Sequence, residues 1–148
     1  MENGKSVFIS GALSRVSGKV RLEVFYDLIA QLCQRKGFRV FLPYRDANPD
    51  KIPGLSNRQL YLSNMEKLGK DTNLLIAYCG LPSVGVGMEV QAASQLGLDV
   101  IALAEKDLEL SKPLQGCPAI IALIRFENFD DALDQLKGQL EQWLMDNP

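Results

Sequence analysis

The feature that most constrains this chain is an alternation. Short segments that are apolar on consecutive positions take turns with segments of helical spacing. Ser6–Ser10, Phe38–Leu42, Asn73–Tyr78, Asp99–Leu103 and Ala119–Ile124 are the apolar segments. Strands that are apolar throughout, rather than on alternate positions, are buried on both faces. From about Lys19 the period turns helical, with Val20, Val24, Leu28 and Leu32 beside Phe25, Ile29 and Cys33, and Gly37 as a stop. Arg45 to Leu55 is polar, contains Pro49, Pro53 and Gly54, and reads as a loop. Ser56-Asn57-Arg58-Gln59 has the pattern of a capping box, opening a helix with Leu60, Tyr61, Met65 and Leu68. A glycine-rich turn from Gly80 to Gly87 leads into a helix that ends at Gly97, and a last helix carries Leu133, Leu136, Leu140, Trp143 and Leu144. Strand and helix in alternation imply right-handed parallel crossovers. The expectation is a single domain over residues 1–148, a flavodoxin-like three-layer α/β sandwich with a five-stranded parallel sheet in the order 2-1-3-4-5. Ligands of such sheets sit beyond the carboxyl ends of the strands at the switch point. Here that means Gly11–Arg15, after the first strand, and Gly80–Gly87, after the third.

Composition then removes whole classes of chemistry. The sequence has no histidine, so no Ser-His-Asp triad, Cys-His pair or imidazole metal site can form. Acid–base work falls to carboxylates, Lys, Tyr or Cys. Cys33, Cys79 and Cys117 are far apart and form no C-x-x-C pair; they read as reduced, mostly buried thiols of a reducing compartment. No metal and no cofactor are expected. Sixteen basic residues against eighteen acidic ones give a net charge of -2 without a basic stripe, which argues against bulk nucleic acid. No run approaches the ~18 apolar residues of a membrane span, and the polar start Met1-Glu2-Asn3-Gly4-Lys5 precedes no signal-type stretch. The chain reads as soluble, cytoplasmic and a binder of small molecules.

Three features could carry chemistry. In Pro82-Ser83-Val84-Gly85-Val86-Gly87-Met88-Glu89, two glycines and a serine at a helix start are either an anion cradle or a plain tight turn. A dinucleotide fingerprint would need a small residue at position 90, where Val90 stands, and would follow the first strand rather than the third. Glu89 is expected in the first turn of that helix, on a face shared with Ala93 and Leu96. It is either a dipole-supported carboxylate poised to attack a sugar carbon or a solvent-facing N-terminal glutamate. Asn64 falls between Leu60 and Leu68 at helical spacing, as a satisfied core amide or as a cleft residue.

Phe8-Ile9-Ser10-Gly11-Ala12-Leu13-Ser14, Leu42-Pro43-Tyr44-Arg45-Asp46, Leu74-Leu75-Ile76-Ala77 and Pro82–Glu89 together resemble the nucleoside 2-deoxyribosyltransferase superfamily, above all its 2'-deoxynucleoside 5'-phosphate N-hydrolases. The likeness runs from about Val7 to Leu103. It implies a flavodoxin-like fold and cleavage of the N-glycosidic bond of a nucleoside 5'-monophosphate or nucleoside. By the same likeness Glu89 attacks the anomeric carbon. Ser83, Gly85 and Gly87, with Gly11, Ser14 and Arg15 of the first loop, hold the 5'-phosphate. Phe8, Tyr44 and Arg45 join them as substrate-binding positions, and the protein is expected to be a homodimer.

The sequence also departs from the family pattern. Phe8 stands where many members have tyrosine, Ala12 where a serine is common, and Asn73 where an aspartate is common. The family's second carboxylate, thought to assist the leaving base, is absent. A gapless alignment puts Met65 there, and one extra residue within Gly69–Thr72 puts Asn64 there, which fits the helix pattern better. Two readings follow: an N-glycosidase with Glu89 as nucleophile and Asn64 beside the base, or a noncatalytic nucleotide-binding or sensing domain that keeps the pocket. An FMN-binding flavodoxin fits poorly, because the loop after the first strand lacks a Ser/Thr-rich run.

Overall fold

The computed structural model describes residues 2–12, 18–48 and 50–148. Strands β1 (Ser6–Ser10), β2 (Arg39–Phe41), β3 (Leu74–Tyr78), β4 (Asp99–Glu105) and β5 (Ile120–Phe126) form one sheet, all parallel, in the order β2-β1-β3-β4-β5. Val7 stands beside Leu74 and Ser10 beside Ala77, so the ends of β1 and β3 are level. Between those ends the chain leaves the sheet in opposite directions, which opens the cleft of a doubly wound fold.

Helices cover both faces. Helix α1 (Lys19–Arg35) and helix α6 (Phe129–Asp146) lie on one, where Phe25, Ile29, Leu136 and Leu140 are fully buried. Helix α3 (Asn57–Asp71) and helix α4 (Val84–Gln95) lie on the other, where Phe8, Leu68, Val90 and Ala93 are buried. The capping box at Ser56 is complete: Ser56 Oγ accepts from Gln59 N–H at 3.1 Å, and Gln59 Oε1 accepts from Ser56 N–H at 2.8 Å. Asn73 has a structural use, its Oδ1 accepting the Ser6 N–H at 2.8 Å at the start of β1.

Several boundaries differ from the sequence reading. Part of the stretch read as loop forms a short helix, α2 (Pro43–Asp46). Pro43 sits at the first helical position, where its fixed φ helps, and Asp46 Oδ2 accepts the Leu42 N–H at 2.9 Å. A second short helix, α5 (Lys112–Gln115), starts at the Ser111 cap. β4 and β5 run on to Glu105 and Phe126, beyond the apolar segments that announce them. On α1 the stripe is rotated: Val20 and Val24 are exposed, while Leu22, Phe25, Tyr26 and Ile29 face the sheet. A helix lying on a sheet buries one stripe only, and the adjacent row stays in water. Among the described residues no helix is long and apolar enough to cross a membrane. Cys33 and Cys79 are buried free thiols, pushed up to about 12 and about 11 by burial, and Cys117 is half-buried.

Candidate active site

An open cavity of about 770 Å³ lies beyond the carboxyl ends of β1 and β3. Several parts of the chain build it. Gly11 and Ala12 follow β1, Tyr44 comes from α2, Leu60 and Asn64 from α3, and Ser83, Gly85 and Glu89 from the start of α4. The sequence reading names Glu89, Asn64, Gly11, Tyr44, Ser83 and Gly85, and the fold brings all six to one cavity.

Gly11 is there because of Tyr26. A Cβ at Gly11 would run into the Tyr26 ring. The Tyr26 hydroxyl donates to the Ala12 carbonyl at 3.0 Å, which anchors the chain as it leaves β1. Tyr44 is fixed from behind, its hydroxyl donating to Asp27 Oδ1 at 2.5 Å. Burial and the Asp27 carboxylate push the Tyr44 phenol well above its usual range, so it remains a neutral donor to Asp27 and turns its lone pair elsewhere. Lys19 and Asp50 stand on the rim 3.9 Å apart.

The glycine-rich segment is less of a turn than the sequence suggests. Helix α4 begins at Val84, so Gly85 and Gly87 lie inside its first turn rather than before it. Ser83 is the N-cap, its Oγ accepting the Val86 N–H at 3.2 Å, and the first intrahelical bond runs from Gly87 N–H to Ser83 O at 3.1 Å. The amides of Val84 and Gly85 precede that bond and have no partner among the described residues. A Cβ at Gly85 would meet only Ser83 Oγ, at 3.8 Å, and one at Gly87 nothing within 4 Å. Neither glycine is needed for its backbone conformation. At Gly85 the missing side chain leaves two amides and the Ser83 hydroxyl open to an anion in the cavity.

The early helix start also moves Glu89. It sits in the second turn of α4, not the first, where the helix dipole gives it little. Ser10, completely buried at the end of β1, donates its hydroxyl to Glu89 Oε1 at 2.6 Å. Burial pushes the Glu89 carboxyl up to about 7, and the Ser10 hydrogen bond pulls the other way. The expectation of a first-turn, dipole-supported carboxylate is therefore corrected in its position, and burial favours the protonated form of Glu89 more than in an ordinary glutamate. Of its expected neighbours on the helix, Ala93 is buried and Leu96 is exposed.

The remaining positions fall elsewhere. Phe8 is buried beneath the floor, its ring 5.1 Å from that of Phe41, and does not line the cavity. Arg45 turns to Asp46 at 3.0 Å and also lies outside it. Gly87 opens onto a second cavity of about 540 Å³ on the far side of Pro82 and Ser83. Ser14 and Arg15 lie outside the described residues. On α3 it is Asn64 that lines the cavity with Glu89; Met65 packs against the core of the α3/α4 face and onto an outer groove. The Asn64 Oδ1 is buried with no hydrogen-bond partner among the described residues. Sequence reasoning missed Ser10 and Asp27 as supports. Ser10 left one signal, a polar residue at the end of an apolar, two-side-buried strand. Among the described residues no group of three or more Cys, Asp or Glu is placed to hold a metal ion.

No family model matches the chain. A curated relative from Methanococcoides burtonii, provisionally named a 2'-deoxynucleoside 5'-phosphate N-hydrolase, is 31% identical over 113 residues, covering 74% of this chain and 88% of the relative. Among solved structures, the CMP N-glycosidase BcmB of Clostridium botulinum superposes with a TM-score of 0.71 over 91% of this chain and 99% of its own, at 19% identity. A 2-deoxyribosyltransferase from Bacillus psychrosaccharolyticus gives 0.66 over 86% and 90%, at 15% identity.

Proposed function

The chain belongs to the nucleoside 2-deoxyribosyltransferase superfamily, and on that premise we propose that it cleaves the base–sugar bond of a nucleoside 5'-monophosphate, with Glu89 as the nucleophile. The observation that carries this reading is one cavity holding two complementary features. Glu89 lines it together with the uncovered amides at the N-terminal end of α4 and Ser83. Those amides suit a 5'-phosphate; the carboxylate suits the anomeric carbon of the same ligand. In the first step an oxygen of ionised Glu89 bonds to C1', and the C1'–N bond breaks with its electron pair going to the base. In the second, water adds at C1' and the carboxylate leaves, so configuration is retained. The base is protonated from solvent or by a neighbouring donor, because Asn64 has no proton to give at neutral pH. A homodimer, implied by the resemblance, would have exposed apolar residues to bury on α3 and α4, including Tyr61, Leu62 and Met88; sedimentation equilibrium reads its presence.

The test is a panel of nucleosides and their 5'-monophosphates, with released base read by chromatography, run on wild type and Glu89→Ala. Cleavage confined to monophosphates and reduced by about 10⁴-fold in a folded Glu89→Ala protein is the expected result. Unchanged turnover in that variant assigns the chemistry to another residue. Tight nucleotide binding with no released base from any substrate favours the noncatalytic, sensing reading instead.

A further inference from the structure

Glu89 has two carboxylate oxygens in different surroundings. Oε1 accepts the Ser10 hydroxyl at 2.6 Å. Oε2 has no hydrogen bond among the described residues, and it is not one of the fully enclosed polar atoms that lack a partner. Ser10 has no exposed surface and does not line the cavity, so its hydroxyl reaches the site only through Glu89. Hydroxyls seldom occupy the interior of a strand buried on both faces, because an unpaired one is expensive there. The remaining residues of β1 between Ser6 and Ser10 are Val7, Phe8 and Ile9, all apolar and buried. The polar position at the end of β1 is thus matched to one partner, 79 positions away in sequence.

We propose that Ser10 is a positioning residue for Glu89, holding Oε1 in place so that Oε2 is the atom presented to the cavity. The proposal rests on the glycosidase reading given above, and it adds a division of labour within one carboxylate. When Oε2 bonds to C1' and the base departs with the C1'–N electron pair, Oε1 becomes the carbonyl oxygen of the glycosyl ester and keeps the Ser10 hydrogen bond. When water bonds to C1' and the C1'–Oε2 pair returns to Glu89, negative charge is restored and the same bond strengthens. The water's proton passes to solvent. Ser10 therefore helps the carboxylate both to ionise before attack and to leave afterwards, without touching substrate.

The other charged or titratable groups on the described cavity walls are Lys19 from α1, Tyr44 from α2 and Asp50 from the turn that follows. The packed helix α3 adds only Leu60 and the neutral amide of Asn64. None of these is among the causes of the Glu89 shift; burial and Ser10 are. Removing the hydroxyl should therefore move the titration upward, with no other group among the described residues to mask it.

The experiment compares wild type, Ser10→Ala and Ser10→Cys, the last being nearly isosteric with a much weaker donor. The first readout needs no activity: titration of the Glu89 side-chain carboxyl by ¹³C NMR, in protein labelled at glutamate and assigned with Glu89→Gln. Both variants should titrate higher than wild type, by about half a unit or more. The second readout is the pH profile of base release. The acid limb should move up by the same amount and the plateau should fall about tenfold, while affinity for the monophosphate stays within about twofold. Lower thermal stability with an unmoved Glu89 titration would overturn the proposal and leave Ser10 as filler. If Ser10→Ala fails to fold, Ser10→Cys decides by the same titration. If wild type releases no base while the titration shifts as expected, the glycosidase reading fails and the Ser10–Glu89 coupling stands.

Discussion

The two faces of the sheet are built on different terms. On the α1/α6 face, aromatic rings interlock: Phe25 stacks on Phe129 at 4.2 Å, meets Tyr78 edge-on at 5.7 Å and lies 5.4 Å from Phe126. On the α3/α4 face the aromatic contact among the described residues is a single pair, Phe8 and Phe41, and α3 buries only Leu68 completely. That second face carries Asn64 and Glu89, which line the cavity, and Ser10, which holds Glu89 from beneath. Two glutamates show the same contrast. Glu105, at the end of β4, shares the single Tyr78 hydroxyl proton between its two oxygens, at 2.6 and 2.9 Å, and presses so close to Gly80 that a Cβ there would not fit. Glu89 has one oxygen held and one left over. Dense aromatic packing is on the side that makes the fold; the orphaned Asn64 Oδ1 and the unbonded Glu89 Oε2 are on the side that lines the cavity.

That contrast predicts unequal responses to truncation, and the largest effect belongs to the aromatic face. Phe25→Ala removes a completely buried ring with four aromatic partners besides its aliphatic neighbours. It should cost about 3–5 kcal/mol of unfolding free energy. Met65→Ala, half-buried on the opposite face, should cost roughly 1 kcal/mol. Urea denaturation of both variants checks this, and equal losses would remove the distinction between the faces.

A second effect, on the order of 3 kcal/mol, has the opposite sign and belongs to the site. Burial holds the Glu89 carboxyl at about 7, above the value of an ordinary glutamate, so the folded chain keeps that proton more tightly than the unfolded one. The stability this gives is complete below about pH 4.5 and is lost as pH rises through about 7. Glu89→Gln has no proton to lose. It should be more stable than wild type at pH 8, and the gap should close at pH 4. Thermal midpoints over that range read the difference, and a gap independent of pH would show that the carboxyl's ionisation is not its source.

How much of this is legible in the sequence depends on which kind of information each element needs. Sheet order follows from the alternation, since continuous apolar runs such as Leu74–Tyr78 admit burial on both faces and little else. The capping box at Ser56 is legible because both partners lie within three residues. Glu89 and the Ser83 turn stand out through a local motif. Helix α2 is hidden because its start depends on Pro43 following a strand and its closure on Asp46 reaching back to Leu42. Ser10 with Glu89, and Tyr44 with Asp27, are contacts between distant segments, and no periodicity reports a partner 79 or 17 residues away. The upward pull on the Glu89 carboxyl escapes the sequence for the same reason: where α4 begins sets how far Glu89 lies from the helix dipole, and burial against distant segments sets the rest.

The smallest expected effect concerns Asn64, and it tests whether the incomplete satisfaction on the site face is used. Its Oδ1 is buried and lacks a partner among the described residues, in the cavity that Glu89 also lines. A departing base gathers negative charge, which a proton donor at this position would neutralise; an amide can offer only a hydrogen bond. Asn64→Asp keeps the shape and adds an ionisable group in a site that raises carboxyl pKa values by burial. The protonated form of the introduced carboxyl should speed base release by about tenfold, or about 1.4 kcal/mol off the barrier. The gain has a defined pH window. Glu89 must be ionised to attack, which favours pH above about 7, whereas the introduced carboxyl loses its proton as pH rises. The advantage over wild type should therefore be greatest on the acid side and fade toward alkaline pH. Met65→Asp is the control, because Met65 faces the core and the outer groove rather than the cavity. A gain in Met65→Asp alone would mean that the α3 register is read wrongly and that the orphaned amide has no part in the reaction. A gain in Asn64→Asp alone, with the stated pH dependence, would fix the base-facing side of the cavity on α3.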